Sequence, residues 1–227
     1  MLSYLQGHTR PDISMPVHQM ARFCNDPKLS HEQAITHIGR YVLGSRYKGI
    51  KYKVDLSKGL ECYVDADFAG GWDQTDPHDA SNLMSRSGFI IEYADCPIYW
   101  SSKLQTEIAL NTAEVEYIVL SSSLCEVILL MTVMDELNEV FPLLMEMPKF
   151  YCKVWEDNQS CIAMATSQKF TPRTKHIALK YHHFKGYVEL GRIQINYIHT
   201  ECQQADILTK PVRTDLFPKL RYMLMGW

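Results

Sequence analysis

No CxxC pair occurs anywhere in this 227-residue chain, and its seven cysteines (Cys24, Cys62, Cys96, Cys125, Cys152, Cys161 and Cys202) are scattered and odd in number. That argues against a zinc knuckle and a disulfide framework, and it suits a reducing compartment. Neither sign of charge dominates: 23 basic against 26 acidic side chains leave a net charge of −3. A nucleic-acid partner would therefore have to be held by a local patch and not by the chain as a whole. No apolar run reaches the roughly 18 residues of a membrane span, and the start MLSYLQGHTRP has no signal-like apolar stretch. The expectation is an intracellular chain with no membrane partner. Internal repeats and low-complexity tracts are lacking as well. What is present is a globular composition, 46% hydrophobic, sufficient for one core and a small appended unit.

Residues 1–58 read as a helical unit. SHEQ, Ser30 to Gln33, has capping-box spacing and predicts a helix from Ser30, with Ala34, Ile35, Ile38, Tyr41 and Val42 on its apolar stripe and Gly44 at its end. The basic, glycine-punctuated GSRYKGIKYKVDLSKG suits a linker or hairpin, which places a boundary near Ser57. In residues 59–227 the strand candidates are LECYVDADF, SGFIIEY, CPIYWSSK, KFYCKVW and RIQINYIHT. A long apolar helix is expected over 112–138, and a second, with a cationic face, over TKHIALKYHHFKGYVEL. The sheet should be mixed.

In CYVDADFAGG, Asp65 and Asp67 interrupt an apolar strand. Buried carboxylates need partners, either water at a strand end or a bound cation. Glu116 in the first turns of the long helix, Asp157 just past KFYCKVW and Asp206 in a last short helix fall at comparable places. Each has a structural alternative. Asp157 could be an N-cap, and Asp206 could favour a helix N-terminus behind a second capping-box spacing, Thr200 to Gln203. Glu114 competes with Glu116, but the two point some 200° apart around a helix. If Asn111 is the N-cap, Glu114 has a capping task of its own and Glu116 is free to face the sheet. Both remain open from the residues alone.

Eight motifs follow one another in register: TRPDI, YVDADFAGG, SRSGFIIEY, WSSKLQ, TAEVEY, EDNQSCI, TKHIALKYHHF and QQADILTK. In that order they resemble the ribonuclease H domain of copia-type LTR retrotransposon polyproteins, over nearly the whole chain. The resemblance implies an α/β ribonuclease H-like fold, a five-stranded mixed sheet flanked by helices, in residues 59–227. It also implies that residues 1–58 are the tail of the preceding reverse transcriptase, its thumb or connection region. The implied catalytic and metal-ligating set is Asp65, Glu116, Asp157 and Asp206, holding two Mg2+ ions or Mn2+ in their place.

Such a site suits hard cations with oxygen ligands. The implied reaction is hydrolysis of the RNA strand of an RNA–DNA hybrid by a pair of ions roughly 4 Å apart, leaving a 5′ phosphate and a 3′ hydroxyl. The implied partners are the hybrid and the reverse transcriptase of the same polyprotein. The implied location is the cytoplasm, in a virus-like particle, or the nucleus. Gln159 matches a substrate-contacting glutamine of retroviral relatives. Lys169 to Lys185 holds Arg173, Lys175 and Lys180 with no acid, a phosphate-binding candidate.

Departures from the family pattern are Thr112 and Ala113, where relatives have amides, Ala178, and the placing of His199, the one candidate for a product-release histidine, at a strand end. YVDA lacks the second carboxylate of a polymerase palm. A fourth acid at Asp206 speaks against an integrase-type enzyme of the same fold. A catalytically silent, retroelement-derived binding module is the non-enzymatic alternative.

Overall fold

A computed structural model describes residues 1–70, 84–141, 151–167 and 182–227. Arg173, Lys175 and Lys180 lie outside the described residues, as does the expected cationic helix up to residue 181; its last part is a short helix, α6 (Lys185–Glu189).

Five strands, β1 (Leu60–Asp67), β2 (Arg86–Tyr93), β3 (Cys96–Leu104), β4 (Cys152–Glu156) and β5 (Ile193–Tyr197), form one sheet in the order β3-β2-β1-β4-β5. β1, β2 and β3 pair antiparallel, whereas β1, β4 and β5 pair parallel, so the sheet is mixed. β1 lies at the centre and is buried on both faces, although its sequence alternates: Leu60, Cys62, Val64 and Ala66 line one face, and Glu61, Tyr63 and Asp65 the other. Leu60, Cys62, Val64 and Ala66 enter one core with α4 (Thr112–Val140), while Tyr63 enters a second core on the opposite face.

α4 is long and apolar enough to cross a membrane by length and composition, and half of its most apolar window is buried inside the protein. Burial against the sheet accounts for that composition. On α4, Ser122 and Cys125 are exposed, whereas Tyr117, Ile118 and Ser121 of the same side are buried as Glu116, Val119 and Leu120 are. The cause is a second cover on α4: Phe184 packs on Tyr117, and His182 Nδ1 lies 2.6 Å from its hydroxyl.

The opposite face of the sheet is covered by α7 (Asp206–Thr209), α8 (Phe217–Met225) and α2 (Ser14–Ala21), and α1 (Leu2–His8) and α3 (Leu29–Gly44) pack on α2. α3 begins one residue before the expected start. Lys28 caps it by donating its backbone N–H to the His31 ring at 3.1 Å, and Ser30 and Gln33 form no capping box. TRPDI has a structural task here. Arg10 and Asp12 are a buried ion pair at 2.8 Å, to which the Tyr41 hydroxyl and Ser45 of the α3 end also bind. Trp100 and Arg86 of the sheet then hold α1 and α2 through the Gln6 carbonyl and the Gln19 side chain. The linker expected after Gly44 contains no helix or strand before β1, and its Lys51 N–H donates to the Met225 carbonyl.

β5 ends at Tyr197, earlier than expected, and His199 instead caps a 3-10 turn, its ring accepting from the Glu201 N–H.

Candidate active site

The ladder between β1 and β4 runs from Leu60↔Cys152 to Tyr63↔Trp155 and stops. Two residues further along each parallel strand stand Asp65 and Asp157, so the register alone sets these carboxylates side by side where the strands part. Crevices at the carboxyl ends of parallel strands are common ligand sites in open sheets. The parting strands leave unpaired carbonyls, and Gln203 fills the gap: its Nε2 donates to Val64 O at 2.8 Å and to Trp155 O at 3.2 Å. Gln203 is fully buried. It serves as a staple between strands and not as the helix cap expected from its spacing to Thr200. Thr200 instead donates to Asp157 Oδ2 at 2.7 Å.

Asp157 does not cap α5 (Gln159–Thr166). Asn158 does, its side chain accepting from the N–H groups of Ser160 and Cys161. This leaves Asp157 to the crevice. At α4 the same division of labour separates the two glutamates. Asn111 accepts from the Glu114 N–H at 3.0 Å and Glu114 Oε2 accepts from the Leu110 N–H at 2.9 Å, a reciprocal cap. Glu116 points inward and is 3% exposed.

Asp65, Glu116 and Asp157 each offer an oxygen within 4.8 Å of the other two. Asp206, the first residue of α7, joins them from the other side through Lys210, whose Nζ lies 2.9 Å from Asp206 Oδ1 and 3.6 Å from Asp65 Oδ1. Thr209 Oγ1 donates to Asp65 Oδ2. α7 can approach so closely because β2 has Gly88 opposite Asp65. A Cβ on Gly88 would meet Thr209 Cγ2 at 2.5 Å and Leu208 Cβ at 2.9 Å.

Burial and crowding act together on these acids. Burial first, then the charges of Glu156, Asp65 and Asp157, push Glu116 up to about 11. Burial and Asp65 push Asp206 up to about 7, and burial raises Asp65. Glu156, fully buried at the end of β4, is pushed up to about 8, again mainly by burial. Such a cluster is electrostatically incomplete, and Glu116 Oε2 is buried with no hydrogen-bond partner. An all-oxygen donor set with one such atom suits a hard divalent cation. Asp67, on the same strand face as Asp65, is half-buried beside Gly70, and burial raises it also. Gln159 is exposed on the first turn of α5.

No family model matches the chain. Among curated proteins it is 33% identical over 216 residues to the retrovirus-related Pol polyprotein from transposon RE1 of Arabidopsis thaliana, covering 95% of this chain and 14% of that protein. It is also 33% identical over 216 residues to the corresponding polyprotein from transposon TNT 1-94 of Nicotiana tabacum, covering 95% of this chain and 15% of that protein.

Its homologues are copia-type retrotransposon Pol polyproteins. It spans about one seventh of the length of these curated relatives. Among solved structures, the N-terminal ribonuclease H domain of a Mycobacterium tuberculosis protein aligns over 72% of this chain and 96% of that chain, with 13% identity and a TM-score of 0.44.

Of the four acids named from the sequence, the fold brings Asp65, Glu116 and Asp157 to one position and sets Asp206 beside Asp65 with Lys210 against both, while Glu116 faces the crevice and Glu114 caps the helix. Sequence reasoning missed Thr209, Lys210, Gln203 and Gly88. Two of them carried a signal: Thr209 and Lys210 follow Asp206 at i+3 and i+4, the spacing that puts side chains on one helix face.

Proposed function

We propose that this chain is a metal-dependent ribonuclease H that hydrolyses the RNA strand of RNA–DNA hybrids during retrotransposon reverse transcription. The observation that carries this reading is the convergence of Asp65, Glu116 and Asp157, from three separate elements, on one position that a cation could share. Asp65, Glu116, Asp157 and Asp206 would hold Mg2+, with Mn2+ as a substitute. Bound divalent ions would supply Lewis acidity toward water and the phosphodiester.

The chain's own residues prepare that chemistry. Thr209 and Lys210 fix the two oxygens of Asp65 in different directions, and Thr200 orients Asp157. Gln203 keeps β1 and β4 at a fixed separation beneath the carboxylates. Gln159, exposed at the rim, is placed to meet the substrate, and Arg173, Lys175 and Lys180 are proposed as phosphate contacts from composition alone. Residues 1–58 are proposed as the tail of the reverse transcriptase, with the rest of that enzyme as partner, and the cytoplasm as the location.

The test incubates the full chain with end-labelled RNA–DNA hybrid, duplex RNA and duplex DNA in Mg2+, in EDTA, and with Asp157→Asn. Selective, Mg2+-dependent loss of the RNA strand of the hybrid, abolished by Asp157→Asn, is expected. An intact hybrid with the wild-type chain would refute the reading.

A further inference from the structure

Four carboxylates lie in the crevice, and three of them, Asp65, Glu116 and Asp157, offer oxygens that all lie within 4.8 Å of one another, whereas Asp206 stands against Asp65 and outside that shared position. The fourth, Asp206, is engaged by Lys210. The ammonium of Lys210 sits 2.9 Å from Asp206 Oδ1 and 3.6 Å from Asp65 Oδ1, so it bridges two of the acids expected to hold divalent ions. Both carboxylates are nearly fully buried, and the lysine side chain is about one-third exposed, at 36%.

The lysine is also held from behind. Its residue lines a cavity of about 400 Å³ together with Ile207, Val212 and Phe217 on one side and Ile38 and Tyr41 of α3 on the other. An apolar wall of this kind suits the methylene stem and leaves the charged head to reach the acids. A compact ammonium is also the right kind of charge here: it neutralises without the fixed fork of a guanidinium, and it can withdraw along a flexible stem.

We propose that the Lys210 ammonium is the resident second cation of this site, bridging Asp65 and Asp206 until a divalent ion displaces it. Asp65, Glu116 and Asp157 then accept a first ion without disturbing the lysine, whereas uptake of a second competes with it. Lys210 is thus a positioning residue that sets the metal stoichiometry. The proposal rests on the cation-binding part of the function given above and not on hydrolysis, so hybrid cleavage is not its readout.

The experiment titrates the full-length chain with Mn2+ and counts bound ions from the electron paramagnetic resonance of free Mn2+. Wild type should bind one ion well ahead of a second. Lys210→Met should tighten the second ion about tenfold, the effect expected for removing one like charge at close range, and leave the first within about twofold. Lys210→Arg, which keeps the charge, should behave as wild type. In EDTA, Lys210→Met should melt below Lys210→Arg.

A second measurement needs no variant. Acylation of Lys210 in the wild-type chain, followed by mass spectrometry, should rise across the second binding step and not the first. Identical second-ion affinity in all three proteins, or Lys210 labelling that stays flat through the titration, would overturn the proposal. A chain that fails to cut hybrid but shows these shifts would sink the nuclease reading alone, and one that binds no Mn2+ would sink both.

Discussion

The two ends of β1 both bury acids, with opposite results. Toward its start, Glu61 stands directly across from Glu92 of β2, and Asp95 follows in the two-residue hairpin turn, where Ala94 and Asp95 both adopt positive φ. Toward its end stand Asp65 and the acids described above. Glu92 is pushed up to about 7, by burial first and then by Asp95 and Glu61, so at both ends an acid is held well above its ordinary range. Yet at the first end the charges are disposed of locally. Glu61 accepts from the Tyr63 hydroxyl at 3.2 Å, and Asp95 is paired with Lys58 at 2.5 Å. Among the described residues, only the other end brings three carboxylates to one shared position. A raised carboxyl is therefore a sign of burial; convergence from distant segments is the sign of a site.

The largest expected effect tests that distinction directly. Glu116→Gln should lower Mg2+-dependent hybrid cleavage by at least ~100-fold, in the range seen when a principal electrostatic contributor is lost. Glu92→Gln should leave it within about twofold, because nothing at that end faces the crevice. Equal losses in a gel-based cleavage assay would erase the contrast between the two ends.

A smaller effect concerns the backbone. Gly88→Ala should cost about 1–3 kcal/mol by forcing α7 off the sheet, as overpacking of a close contact generally does. Gly59→Ala, at the other end of β1, has open space around the added methyl and should fall within about 0.5 kcal/mol of wild type. Urea titration of the two variants measures both.

The last effect is pH-dependent. A folded-state value raised above the unfolded one favours folding at low pH and loses that advantage as pH rises. For Glu92 the window lies between its ordinary value of 4.5 and about 7. Glu92→Gln should therefore match wild type near pH 4 and exceed it by up to about 3 kcal/mol near pH 8. A melting-temperature difference that does not grow across this range would place the buried charge elsewhere.

Much of this arrangement was legible in the chain. Strand composition located all five strands, with ends that shifted by a few residues. The Asn111–Glu114 spacing separated two glutamates only two residues apart, because capping is local and its signature is written in consecutive residues. The Thr200–Gln203 spacing misled for the complementary reason. A glutamine's task depends on which carbonyls lack partners, and that is set by where the ladder between two distant strands ends. Gly88 was silent for the same cause: a missing side chain acquires meaning only against what packs opposite. SHEQ looked like a cap, but Lys28 and His31 took over, shifting the helix start by one residue.

The seam between β1 and β4 has one more consequence. Asp65 and Glu116 come from the part of the chain before residue 141, Asp157 and Asp206 from the part after residue 151, and the staple at Gln203 touches a carbonyl from each. Neither portion owns enough ligands to retain an ion by itself. Ion binding at this crevice thus works as a proofreader of assembly: the shared position exists only in a molecule whose early and late halves have found each other in the correct alignment.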